Sequence, residues 1–301
     1  MFYVSMITGV LGIAQMYVDF EILAPIFNTR ISSTFGNSNF FGSYISIILP
    51  ISIAFFVFTQ SKKSFILSIL MFFNMISSGT RSAWVAFIAV ALLGLIYLIK
   101  QKNKQYYKRT IILLICFVII FIYLCTGFGF TKSSLTKLRK DIENVTKTGL
   151  SNEMGSNRIA IWKMTLNLIR QKPIFGCGPD NLKDGLFKYS TEKAFDYIEK
   201  SNVYIDKAHN EYLHIAATIG IPALIVYLIF LGKILIPKLK DIFKNKVSLL
   251  VTLTIISYLV QAFFNISTIG IAPFFWMILG LSDNEDVLKK LKKYIDKCNT
   301  I

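Results

Sequence analysis

Two histidines serve the whole chain, and both fall in the stretch DKAHNEYLHIAATIGIP, which runs from Asp206 to Pro222. The polar group His209-Asn210-Glu211 stands directly before an apolar run. A histidine at such a place can take a proton near neutral pH. The positive end of a helix and nearby arginines disfavour imidazolium and push its pKa down. Glu211 pulls the other way. Arginines that could share its surroundings occur at Arg81, in SSGTRSAW, and at Arg158, in SNRIAIW. A guanidinium offers a planar fork to a phosphate or diphosphate, and a helix N-terminus offers unpaired N–H groups to the same anion. His209 therefore reads as a candidate base, with Arg81 and Arg158 as candidate diphosphate ligands. Asn37 and Asn39, in STFGNSNFFGSY, and Asn210 and Glu211 are candidate supporting groups.

Each residue also has a plainer reading. Arg81 alone reads as an arginine anchoring a membrane-helix end, and Arg158 as a solvated first-turn residue. Ser33 and Ser156 read as helix caps. His209 alone reads as an interfacial histidine, and His214 as a packing or hydrogen-bonding residue. The conjunction favours the chemical reading. Four polar clusters each precede a helical segment, and the topology below puts all four on one side, so Arg81, Arg158 and His209 are expected to face one outward cavity.

The elements that must position these groups are membrane helices. Of 301 residues, 54% are hydrophobic and only 17% charged, against about a quarter charged in soluble domains. About eight apolar segments meet or approach the length a bilayer demands: Phe2–Val18, Phe41–Thr59, Ser64–Ser78, Ser82–Ile99, Thr110–Phe128, Glu211–Leu231, Val247–Phe264 and Thr268–Leu281. The expected fold is all-α, a polytopic transmembrane helix bundle. The net charge of +16 does not indicate nucleic acid, because the lysines cluster in short loops between apolar runs. The four cysteines match neither a disulfide framework nor a metal site. No cleavable signal peptide is expected, since Met1 leads into an apolar segment without a basic start.

Basic short loops mark the cytoplasmic side. SKKS, KQKNKQYYKR (Lys100–Arg109), KILIPKLKDIFKNK (Lys233–Lys246) and KKLKKYIDK (Lys289–Lys297) alternate with short loops carrying only Arg30 and Arg81. Both termini are then cytoplasmic. The one long loop, Thr131 to Ala208, is extracytoplasmic within a single integral membrane domain covering residues 1–301. It contains an amphipathic helix with Ile159, Trp162, Leu166 and Ile169 on its apolar face, resting on the membrane domain or the lipid interface. Ser156 or Asn157 would start it, and Pro173 with Gly176 and Gly178 would end it. A second helical stretch runs from about Leu182 to Lys200.

The pieces TFGNSNFFGSYISIILP, SSGTRSAWVAF, NRIAIWKMTLNLIRQKPIFGCGPDN and AHNEYLHIAATIGIPALIVYL, in this order, resemble the O-antigen ligase and polymerase family of bacterial envelope glycan enzymes. They cover most of the chain from Arg30 to Leu231. The combination of R-x-x-x-W, P-x-x-G-x-G-x-x-N and HNEYL carries the resemblance, and no single piece would. It implies a GT-C-like fold in the bacterial inner membrane. It also implies a glycosyltransferase that uses an undecaprenyl-diphosphate-linked glycan on the outer face, without metal or other cofactor. The acceptor would be a glycan, lipid or protein hydroxyl, in O-antigen or capsular polysaccharide polymerisation or in O-antigen ligation. Carried over, Arg81 and Arg158 would hold the diphosphate, and His209 would activate or orient the acceptor. Full members carry further spans, which would precede Phe2. Two other classes stay open on sequence: a flippase or transporter for a lipid-linked sugar, and a non-catalytic subunit of an envelope polysaccharide complex. A transporter would be expected to show polar groups at mid-membrane and internal repeats; no clear repeat is visible.

The topology has a direct check. Single cysteines at positions 104 and 188, in a background without the native four, should differ in reaction with an impermeant maleimide on intact spheroplasts. Position 188 should label and position 104 should not; the reverse pattern would invert the assignment.

Overall fold

A computed structural model of the chain describes residues 2–17, 30–127, 154–189 and 205–299, together with the isolated positions 136, 139 and 197. Every regular element among them is helical, as the apolar patterning requires. The helices are α1 (Phe2–Ala14), α2 (Ser38–Thr59), α3 (Lys62–Ser77), α4 (Arg81–Gln101), α5 (Lys104–Gly127), α6 (Met154–Gln171), α7 (Leu182–Tyr189), α8 (Glu211–Thr218), α9 (Ile221–Lys240), α10 (Lys246–Ala262), α11 (Ala272–Asp283) and α12 (Glu285–Asn299), with a 3₁₀ turn at Ser33–Phe35. Four of them, α2, α4, α5 and α9, are long and apolar enough to cross a membrane. The chain is thus a polytopic helical membrane protein. The remaining expected segments also form helices, but α1, α3, α10 and α11 have 13, 16, 17 and 12 residues, short of the roughly 20 that a straight crossing needs.

The helices form two compact units, residues 1–135 with 234–261 and 268–301, and residues 136–233 with 262–267. The second takes in α6, α7, α8 and most of α9. In the first, α2 supplies the core, burying Phe41, Tyr44, Ile45, Ile47 and Leu49 almost completely. Buried polar side chains join its helices. The Ser5 and Tyr44 hydroxyls share a hydrogen bond of 2.7 Å, and Asn74 Nδ2 donates to the Gly9 carbonyl at 2.9 Å. Such bonds give the polar groups of apolar helices partners away from lipid.

The second unit departs from the sequence expectation in three ways. Its helix α6 buries Ile161, Met164, Leu168 and Ile169, a stripe spaced i, i+3, i+7, i+8. Ile169 was on the expected face; Leu166 instead stands 44% exposed. The stripe packs on α7 and α8 within the unit, through Leu182, Leu186, Ala216 and Ala217. The helix also begins at Met154, ahead of the expected start, and Asn157 interrupts its first turn with a left-handed φ of +66; the side chain of Ser156 lies outside the described residues. Of the second helical stretch, Leu182–Tyr189 is helical, and most of the remainder to Lys200 lies outside the described residues.

The expected continuous segment Glu211–Leu231 is two helices, broken between Thr218 and Ile221. Gly220 sits at φ +110, and a Cβ there would overlap the Ile174 carbonyl. Pro222 follows in the first turn of α9, where its missing N–H costs nothing. The loop Pro173–Gly178 fits into this break. Cys177 N donates to the Ala217 carbonyl and Gly178 N to the Thr218 carbonyl, both at 2.9 Å, while Ile221 N donates to the Pro173 carbonyl at 2.8 Å. The last carbonyls of a helix have no partner within it, and here the loop backbone supplies one. Gly176, at φ +63, has no room for a Cβ beside the Thr218 carbonyl. This accounts for the P-x-x-G-x-G spacing.

Gly220→Ala should therefore destabilise the chain by about 1–3 kcal/mol, the cost of a strained backbone position, before the clash is counted. Gly94→Ala is the control, since an added Cβ there meets nothing within 4 Å; in mid-helix it should stabilise by roughly 0.5–1 kcal/mol. Thermal unfolding of the purified chain in detergent separates the two.

Candidate functional site

In the second unit, His209 lies in the turn that leads into α8. Its neighbours are fixed on both sides. The Ala208 carbonyl accepts the Trp162 indole N–H at 3.0 Å, and Ala208 is fully buried. Asn210 is 2% exposed, and its Oδ1 accepts from Leu213 N at 2.9 Å, capping α8. Between these anchors His209 takes φ +49, the left-handed region that non-glycine residues seldom occupy. Strain of this kind persists only where the surroundings impose it, and it gathers at functional sites.

Arg158 belongs to the same unit, on the first turns of α6, directly after Asn157, which also has a left-handed φ of +66. Its charge acts on His209. Burial is the main cause holding the His209 pKa below the ordinary histidine range, Arg158 adds to it, and Asp206 opposes it. The downward direction matches the sequence expectation, but burial leads, with arginine second. No hydrogen bond among the described residues engages the imidazole, and its Nδ1 is buried without a partner. Neutral at pH 7, this ring can accept a proton.

Glu211 opens α8 and is 7% exposed, and its Oε1 accepts the Tyr227 hydroxyl of α9 at 2.9 Å. A carboxylate near a helix N-terminus is favourably placed, and the tyrosine bond ties α8 to α9 across the break. His214, five residues beyond His209, is likewise depressed, by burial first and Lys207 next. Lys207 pairs with Asp180 at 2.5 Å, which joins the turn before α8 to the loop that clasps its end.

The other candidates are in the first unit. Asn37 caps α2, its Oδ1 accepting from Asn39 N at 2.8 Å. Ser33 is therefore not the cap; it lies in the 3₁₀ turn, buried, with its hydroxyl donating to the Thr8 carbonyl at 2.7 Å. Arg81 is the first residue of α4. Beside it stands Arg30, which sequence reasoning counted only as a loop charge. Arg30 donates to the Ser78 carbonyl at 2.6 Å, to Thr80 Oγ1 at 3.1 Å and to Asn39 Oδ1 at 3.2 Å. Burial first, and the Arg81 charge second, press its pKa down, yet a guanidinium in a protein keeps its proton. Thr80 donates in turn to the Ser38 carbonyl at 2.8 Å. The result is two guanidinium groups beside two helix N-termini, and Arg30 makes no ion pair among the described residues. Such a place suits an anion. The only sequence signal for Arg30 was its nearness to the STFGNSNF cluster. The structure thus brings Arg158 to His209 in one unit and Arg30 to Arg81 in the other.

The family model described as O-antigen ligase matches residues 66–228. A ComP-specific O-oligosaccharyltransferase of Acinetobacter baylyi is 28% identical over 170 residues, which are 54% of this chain and 28% of that protein. An uncharacterized protein of Haemophilus influenzae is 24% identical over 174 residues, 57% of this chain and 42% of that one. The aligned region is less than half the length of either relative.

The influence of Arg158 on His209 can be measured. Arg158 lowers the histidine pKa, so Arg158→Ala should raise its titration midpoint toward the ordinary value of about 6.5. NMR of the imidazole carbons in detergent-solubilised chain, with His214→Gln for assignment, reads the shift. An unmoved or lower midpoint would mean that the two groups do not interact.

Proposed function

The chain belongs to the O-antigen ligase family, and from that premise we propose that it transfers a glycan from an undecaprenyl-diphosphate carrier to an acceptor hydroxyl. Family membership and the distant oligosaccharyltransferase relative support a membrane enzyme of glycan transfer; the carrier, the acceptor and the residue roles are the proposal. The observation that carries it is the pairing in the second unit. A guanidinium lies close enough to depress a buried histidine, and that histidine is held in a strained turn before a helix N-terminus.

In the proposed reaction the acceptor hydroxyl attacks the anomeric carbon of the donor sugar. Its proton passes to His209. The bond from that carbon to the phosphate oxygen breaks, and undecaprenyl diphosphate leaves with the electron pair. Attack from the face opposite the leaving group inverts the anomeric centre. Charge grows on the departing diphosphate, and arginine fixed in advance stabilises it most where water is excluded. Arg158 takes that role in its unit. Arg81, with Arg30 beside it, is assigned to the same anion chemistry in the other. Asn37 and Asn39 support them by capping α2 and holding Arg30, and Asn210 and Glu211 by fixing the start of α8. The Acinetobacter relative is named for transfer to oxygen, which fits a hydroxyl acceptor. The lysine-rich short loops support a reading in which this chemistry takes place on the outer face of the inner membrane, with both termini cytoplasmic.

Glycan transfer in reconstituted membranes, with donor binding followed separately, tests the roles. His209→Ala should lower the rate about 10²–10⁴-fold, the usual worth of a positioned base, with donor binding kept. The remaining activity should lose its acidic limb below about pH 6.5. Arg158→Lys should weaken both binding and turnover, because lysine offers no bidentate fork. Transfer by His209→Ala at the wild-type rate would remove the base role and leave the histidine as a helix-end residue.

A further inference from the structure

The first unit contains a cavity of about 330 Å³ between α2, α4, α5 and α10, lined by residues including Pro50, Val57, Ala91, Leu98, Phe117 and Leu253. Among the described residues, Tyr97 and Thr110 are the only polar side chains that line it, and the Thr110 hydroxyl is buried without a partner. Along one side, Ile88, Leu92 and Leu95 of α4 are each at least 50% exposed, so the cavity opens laterally toward the hydrocarbon phase. An apolar space of this kind does not hold water stably.

Its position is defined by charge. The cavity wall on α4 ends at Leu98 and on α5 starts at Thr110. The chain between is Lys100–Arg109, with five cationic residues and no acid. Arg109 is buried and serves the fold, donating to the Val57 carbonyl at 2.8 Å and to Gln60 Oε1 at 3.2 Å. Lys102, Lys104 and Lys108 are exposed at this rim. Lys100 lies over the Phe243 ring, 3.8 Å from its centre; Gln101 Nε2 donates to the Phe243 carbonyl at 2.5 Å. These contacts bring a second basic stretch, Lys244 and Lys246, alongside.

We propose that this cavity binds one acyl chain of an anionic phospholipid, with the lipid phosphate held against Lys102, Lys104 and Lys108. The volume stands at the low end of the roughly 300–1,000 Å³ of small-molecule sites. It takes part of a single chain and leaves the second chain in the bilayer. Clustered lysines just outside a membrane helix favour anionic headgroups. The site is separate from the Arg30–Arg81 cluster. Arg81 and Lys100 lie at opposite ends of α4, about 30 Å apart at 1.5 Å per residue. The proposal depends neither on the reading of His209 nor on which leaflet the loop faces.

The full chain, incorporated in nanodiscs of equal phosphatidylglycerol and phosphatidylcholine and then extracted for native mass spectrometry, should retain phosphatidylglycerol in preference. Gly94→Trp fills the cavity from a position where a Cβ meets nothing within 4 Å; it should lower retained phospholipid at least tenfold. Ala91→Leu is a milder version should the tryptophan variant fail to fold. Replacing Lys102, Lys104 and Lys108 by Gln should keep lipid binding and erase the preference. A folded Gly94→Trp or Ala91→Leu chain that retains as much lipid as the wild type would overturn the proposal, and so would an undiminished preference in the glutamine variant. A wild-type chain that emerges without phospholipid but dimerises, in a manner Gly94→Trp abolishes, would also overturn it, in favour of a second copy as occupant.

Discussion

The second unit depends on a main-chain clasp. A helix that stops inside a protein leaves its final carbonyls unpaired, and each one buried without a partner costs about 1–3 kcal/mol. Helix α8 stops after eight residues, and the loop Pro173–Gly178 answers with two N–H groups while its proline carbonyl takes the first N–H of α9. Side chains could be exchanged without losing these bonds, but the backbone path could not. That path needs glycine at 176 and 220, where the chains approach too closely for a Cβ. With the end of α8 held, its beginning is held as well, and the beginning carries His209.

The geometry around that histidine is stiff. Trp162 fixes Ala208, Asn210 caps the helix, Glu211 is bonded to Tyr227, and Lys207 is paired with Asp180. Each bond runs to a different element, so no single motion of one helix releases the turn. A turn held this way keeps a strained residue at φ +49, and under the proposed base role its ring would need no reorganisation to meet an acceptor. Electrostatic stabilisation by fixed groups is most effective under just that condition.

Much of this was legible in the sequence, and the misses have physical causes. The helical class followed from apolar runs, whose lengths are a direct demand of the bilayer. Three of the polar clusters did mark helix starts, since Asn37, Thr80 and Asn210 stand directly before α2, α4 and α8, although in the first cluster the expected cap was Ser33. The break at Gly220 was hidden because hydropathy averages over Ile219-Gly220-Ile221 and sees only an apolar run. The face of α6 was misread at Leu166, since two overlapping stripes fit its sequence and only the partners α7 and α8 decide between them. Arg30 was passed over because its role comes from Asn39, Ser78 and Thr80, 9, 48 and 50 residues away; no local pattern carries that.

The interruption between α8 and α9 also bears on how such chains can vary in length. Three backbone bonds span Pro173 to Gly178 on one side and Ala217 to Ile221 on the other. An inserted or deleted residue in either segment would shift every donor past its acceptor, so neither can change size alone. Homologous loops that differ in length must place the difference elsewhere, and a chimera that exchanges this loop between relatives must carry both segments across together. The two form one inheritable part, although some forty residues of chain separate them.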